Sequence, residues 1–184
     1  MTDLAAAVRA LRRGGLIAYP TEAVYGLGCD PQDRAACERL FRLKQRSPAQ
    51  GVLLIAADLD QVRPYADFAV LPATARLRVE ASWPGPATWV LPRGAAAPDW
   101  ITGAHPGIAL RVTAHPVAAA LCSAFGGALV STSANRHGEP AIREAQELRQ
   151  RFGGSLDAIV EGPLGNFARP TPIRDAMSGR ILRA

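Results

Sequence analysis

Three short segments carry side chains that can hold anions and polar groups. The first is Tyr19-Pro-Thr-Glu-Ala-Val-Tyr-Gly-Leu-Gly28. There Pro20 stiffens a strand exit, Thr21 and Glu22 offer polar groups, and the glycines let backbone approach a ligand. A plain structural turn is the competing reading. The second is Leu43-Lys-Gln-Arg-Ser-Pro48, with Lys44 and Arg46 one residue apart at a helix end. Both can point to one side if the chain leaves the helix between them. Compensation of the helix dipole, worth ~0.3–1 kcal/mol, explains the same pair. The third is Val130-Ser-Thr-Ser-Ala-Asn135. Its hydroxyls and amide can bind phosphate, ribose or an amino acid, or can close a Ser/Thr turn.

Composition adds weight to the second segment. The chain has 184 residues, with 21 Lys+Arg against 16 Asp+Glu, a net charge of +5 and a pI near 9.7. Lys44 is the only lysine among those bases; all others are arginine. A compact ammonium is then expected where a planar guanidinium would not serve, the competing reading being one lysine that survived by chance. The net charge suits an anionic ligand or RNA.

Several chemistries are excluded. No Gly-Lys-Ser/Thr exists, so there is no Walker A loop, and Gly26-x-Gly28 lacks the third glycine of a dinucleotide fingerprint. No Gly-x-Ser-x-Gly elbow is present. Cys29, Cys37 and Cys122 never form a C-x-x-C, which argues against a disulfide framework or cysteine zinc site and fits a reducing cytosol. His105, His115 and His137 are scattered, so no metal site is expected. Met1-Thr2-Asp3-Leu4 puts an acid where a signal peptide needs a base, and no run is long enough to span a membrane. The expected location is cytoplasmic.

The elements that must position these segments alternate. Helices are predicted over 3–13, from an Asp30 cap with Pro31 at its first position to about 44–46, and over 59–65, 73–81, 116–125 and 145–152. Buried strands are predicted at 16–19, 52–56, 88–91, 108–112, 129–131, 158–160 and 181–182. Residues 21–30 are predicted as loop and 95–107 as irregular. The pattern implies an α/β fold with helices on a largely buried sheet, and the length implies one domain over 1–184.

Together the ordered segments YPTEAVYGLGCD, LKQRSP, WPGPATWVL, IALRVTAHPVAAAL, STSAN and PIRDA resemble the short bacterial form of the YrdC-like threonylcarbamoyl-AMP synthase family, over essentially the whole chain. The resemblance implies a single-domain α/β fold with a twisted mixed sheet. It implies a nucleotidyltransferase that makes threonylcarbamoyl adenylate from L-threonine, bicarbonate and ATP, with magnesium accompanying the nucleotide. Partner proteins would transfer the product to tRNA. It assigns Lys44, Arg46, Ser133 and Asn135 to catalysis and ATP binding, with Lys44 on the phosphates. Arg111 would pair bidentately with the threonine carboxylate, and Thr21, Ser131 and Thr171 would line the amino-acid pocket. Ala23 stands where many relatives have threonine. The rival reading is a non-catalytic module that binds double-stranded RNA or tRNA through its backbone.

Overall fold

The structure, a computed structural model, describes residues 4–183. The predicted helix start at residue 3 and the N-terminal acid lie outside the described residues. No helix among the described residues is long and apolar enough to cross a membrane.

Nine strands form one mixed sheet: β1 (Ile17–Pro20), β2 (Tyr25–Gly28), β3 (Leu53–Ala56), β4 (Thr88–Pro92), β5 (Gly107–Val112), β6 (Leu129–Ser133), β7 (Ala158–Ile159), β8 (Ile173–Asp175) and β9 (Ile181–Arg183). Their order is β7-β1-β2-β6-β3-β5-β4-β8-β9. The β1/β7, β3/β5 and β4/β8 pairs are parallel and the others antiparallel. This is the α/β fold with a mixed sheet that the sequence implied.

Side chains alternate across the pleat, so each strand feeds two layers. Leu16, Ala18, Leu27, Leu54, Leu110 and Val130 join one cluster with α2 (Arg34–Lys44), through Ala36, Cys37, Leu40 and Phe41. Ile17, Tyr19, Ile55 and Leu129 face the other way. They meet α1 (Leu4–Leu11) and the Pro116–Phe125 helix through Val8, Leu11, Ala118 and Leu121. Those two helices cover one end of this second face. The remainder carries small and polar residues. Register places Gly26 beside Ser133, Leu53 beside Ser131 and Val90 beside Ala109. Directly paired residues share a face, so this row floors a cleft rather than a core.

Four elements differ from the sequence expectation. The predicted loop contains β2, whose glycines hid a strand enclosed by β1 and β6. The helix expected from Asp30 starts three residues later: Asp33 is its cap, accepting from Ala36 N at 3.0 Å, while Asp30 accepts from Gln32 N in a preceding turn. Asp99–Thr102 is a short helix inside the segment expected to be irregular. β8 gave no apolar run to read, because β4 pairing defines it.

Gly28 shows how closely β1, β2 and β6 approach. A Cβ there would lie 2.5 Å from Val130 O and 2.9 Å from a Tyr19 ring carbon. Gly28→Ala should therefore lower stability by about 1–3 kcal/mol, read from urea denaturation, as overpacking against backbone does.

Candidate active site

The cleft on the open half of the sheet has a volume of about 760 Å³. Thr21, Arg46, Arg111, Ser131, Ser133, Asn135 and Thr171 all line it, so seven of the eight sequence-predicted residues come together. Lys44 is not on its wall.

The end of α2 explains this. Gln45 has φ 52° and ψ 41°, the only non-glycine residue at positive φ among the described residues. Gln45 N donates to Arg42 O and Arg46 N to Phe41 O, which is the Schellman pattern. The left-handed residue turns Lys44 and Arg46 apart. Lys44 is 3% exposed. Its Nζ donates to Ser133 O at 2.5 Å, Asn135 O at 2.8 Å and Asn135 Oδ1 at 3.0 Å. An ammonium has three hydrogens, so all are engaged. His137 N donates back to Lys44 O at 2.8 Å. The lone lysine thus ties the helix end to the β6 exit; its expected direct contact with phosphate is not what this geometry offers. Burial, and after it the Arg46 charge, push Lys44 down to about 8, while three oxygens favour the charged form.

Asn135 is similarly engaged. Its Oδ1 accepts from Ser133 Oγ at 2.7 Å as well as from Lys44, and its Nδ2 donates to Glu139 O at 2.6 Å. Ser133 keeps lone pairs free on the cleft wall. Arg46 reaches Gly51 O at 2.8 Å and Gln50 O at 3.3 Å and has no carboxylate partner among the described residues. Its Nε is buried without a partner among them. Of the four residues expected to meet ATP, Arg46, Ser133 and Asn135 line the cleft and Lys44 lies behind its wall.

Arg111 sits across the cleft, 6% exposed. Its Nη1 lies 3.1 Å from Glu22 Oε2 and donates to Thr171 Oγ1 at 2.7 Å, and its Nε is buried and unpartnered. With Nη1 engaged, the Nε and Nη2 donors on the other edge of the guanidinium have no partner among the described residues, and Nη2 is the end left open to an anion. Thr21 Oγ1 donates to Val24 O at 2.7 Å and holds the turn before β2.

Sequence reasoning missed two participants. Arg183, on the last strand, lines the cleft. Burial and then the Arg111 charge lower its proton affinity, and Arg183 in turn does the same to Arg46. Three guanidiniums thus share one cavity. No spacing signal joins Arg183 to the earlier segments. Glu22 was visible in its motif, but its pairing with Arg111 is a product of the fold.

Two outcomes follow for Lys44. Lys44→Arg keeps the charge but cannot place donors on three converging oxygens. Melting temperature and turnover should fall together, with a stability loss of about 1–3 kcal/mol per orphaned acceptor. Low turnover at an unchanged melting temperature would put the ammonium on the ligand instead. For pH, the native value near 8 lies below the ordinary 10.5, so the unfolded chain holds more protons between them. Wild-type stability relative to Lys44→Met should therefore rise with pH across that window, measured by denaturation at successive pH values.

The family model described as "Telomere recombination", Sua5/YciO/YrdC, matches residues 9–184. A protein of Halorhodospira halophila named threonylcarbamoyl-AMP synthase is 57% identical over 173 residues, covering 94% of this chain and 90% of its own. One of the same name from Stenotrophomonas maltophilia is 54% identical over 181 residues, covering 98% and 97%. The crystal structure of P. abyssi Sua5 complexed with L-threonine superposes with a TM-score of 0.86 at 31% identity, covering 94% of this chain and 50% of that one. This chain thus spans about half the length of that relative. The full-length matches and the shared fold place the chain in one family: it belongs to the Sua5/YciO/YrdC family.

Proposed function

We propose that the chain, acting as one domain over residues 1–184, forms threonylcarbamoyl adenylate from L-threonine, bicarbonate and ATP, releasing pyrophosphate. The observation that carries this reading is the presence of two kinds of guanidinium in one cleft. Arg46 and Arg183 have no carboxylate partner among the described residues, whereas Arg111 is paired with Glu22. Such a cleft suits two different anions side by side. The names of the relatives and the threonine complex of the P. abyssi structure support threonine and ATP as those ligands, and they favour an enzyme over an RNA-binding module.

The chemistry asks the protein for charge and position. Bicarbonate takes up a proton and loses water to give CO2; the threonine ammonium gives up one proton, the free amine adds to the CO2 carbon, and a second proton leaves the nitrogen to give the carbamate. A carbamate oxygen then bonds to the α-phosphorus as the bond to pyrophosphate breaks, which makes the enzyme a nucleotidyltransferase. Two anions that repel in water must be held within reach of each other. Arg46 and Arg183 stabilise charge on the phosphates, and Ser133, whose hydroxyl proton goes to Asn135 Oδ1, accepts from a ribose hydroxyl. Lys44 and Asn135 hold Ser133 in place. Arg111 takes the threonine carboxylate through its Nη2 end, with Thr21, Ser131 and Thr171 around the amino acid.

Magnesium enters with ATP. Among the described residues no group of three or more His, Cys, Asp or Glu is placed to hold a metal ion, and no step is assigned to one. The product passes in the cytoplasm to proteins that transfer the threonylcarbamoyl group to tRNA.

Purified protein with ATP, magnesium, bicarbonate and L-threonine should release pyrophosphate, and release should vanish without threonine. Equal release in its absence contradicts the reading. Arg111→Lys keeps a counterion for Glu22 but loses the planar fork. It should raise the threonine KM by about tenfold or more while leaving the ATP KM within about threefold.

A further inference from the structure

Glu22 is the one carboxylate among the described residues that meets a cleft guanidinium. Both it and Arg111 have side chains only 7% exposed. Glu22 Oε1 accepts from Thr113 Oγ1 at 2.5 Å, and Thr113 Oγ1 accepts from His115 N at 3.1 Å. The backbone is fixed as well. Glu22 O accepts from Phe167 N, and a Cβ on Gly165 would lie 2.6 Å from that same oxygen. A buried ion pair is often no more stabilising than apolar residues of like volume, so this placement calls for a role beyond stability.

Resting on the reading of a cleft for threonine and ATP, we propose that Glu22 sorts the two anions. By neutralising Arg111 it makes that subsite accept a zwitterionic amino acid and refuse phosphate. The phosphates are left to Arg46 and Arg183, which lack such a partner.

The physics is a matter of net charge. A zwitterion added to a neutral ion pair buries no net charge, since its carboxylate sits toward the guanidinium and its ammonium toward the carboxylate side. A phosphate at the same spot faces the Glu22 carboxylate a few ångströms away, and that like-charge contact rejects the wrong ligand. Without Glu22 the three guanidiniums become alternative seats for a triphosphate, and ATP competes with threonine. Thr113 acts through Glu22 and is a positioning residue.

The test is calorimetric titration of L-threonine, ATP and inorganic phosphate into the wild type, Glu22→Gln, Thr113→Val and the double variant. Glu22→Gln should lose about tenfold or more in threonine affinity, gain about tenfold for phosphate that competes with threonine, and hold ATP within about twofold. Thr113→Val should move both ligands in the same directions by less, and the double variant should be no worse than Glu22→Gln alone. Equal losses for threonine and ATP with no gain for phosphate would mark a merely structural residue and overturn the proposal. So would a Thr113→Val effect that adds fully to that of Glu22→Gln. If Glu22→Gln does not fold, Thr113→Val decides: threonine loss with phosphate gain supports sorting, and the absence of either refutes it. A wild type that binds no threonine contradicts the proposed function instead, because the phosphate titrations still report whether Glu22 screens Arg111.

Discussion

Three oxygens converge on one buried ammonium, and the shape of the cleft depends on that contact. Lys44 joins the last turn of α2 to the exit of β6 through Ser133 O, Asn135 O and Asn135 Oδ1. The left-handed Gln45 then sends Arg46 to the cleft while Lys44 points inward. If the ammonium moves, Ser133 loses its place and Arg46 loses its reference. A guanidinium cannot substitute, because its donors lie in one plane with fixed spacing. The same fact accounts for a single lysine in a chain that otherwise uses arginine.

A second constraint is the division of one sheet face. The α1 and Pro116–Phe125 helices take the end where Ile17, Tyr19 and Leu129 project. Beyond them the face carries Gly26, Ala109, Ser131 and Ser133, too small to fill the space, so a cavity remains. Charge is then set around its rim. Arg46 and Arg183 have no carboxylate beside them among the described residues, while Arg111 has its own. Three guanidiniums around one cleft favour anions there, and unequal compensation makes its parts chemically distinct.

Much of the fold was legible because buried strands are short apolar runs and the longer helices keep an apolar stripe. Leu53–Ala56 and Pro116–Phe125 are clear examples. β2 was not legible, since Tyr25–Gly28 is half glycine and becomes a strand only between two partners. Asp30-Pro31 carried the local signal of a helix start, yet the Asp33 side chain caps Ala36 N and wins. At the site, the motifs told which residues gather but not what each one touches. Lys44 looked like a phosphate ligand from its type and spacing, and only the fold reveals three protein oxygens around it. The Glu22 pairing with Arg111 and the arrival of Arg183 are long-range events that no local pattern encodes.

The central claim is that one cleft joins an amino acid, a one-carbon anion and a nucleotide. Its most direct measurement is mass spectrometry of the nucleotide product formed from ATP, L-threonine and carbon-13 bicarbonate. The account predicts a threonine-containing adenylate that is heavier by the single labelled carbon and absent when any one substrate is omitted. An adenylate of threonine that carries no label, or label-free turnover of ATP alone, would contradict it.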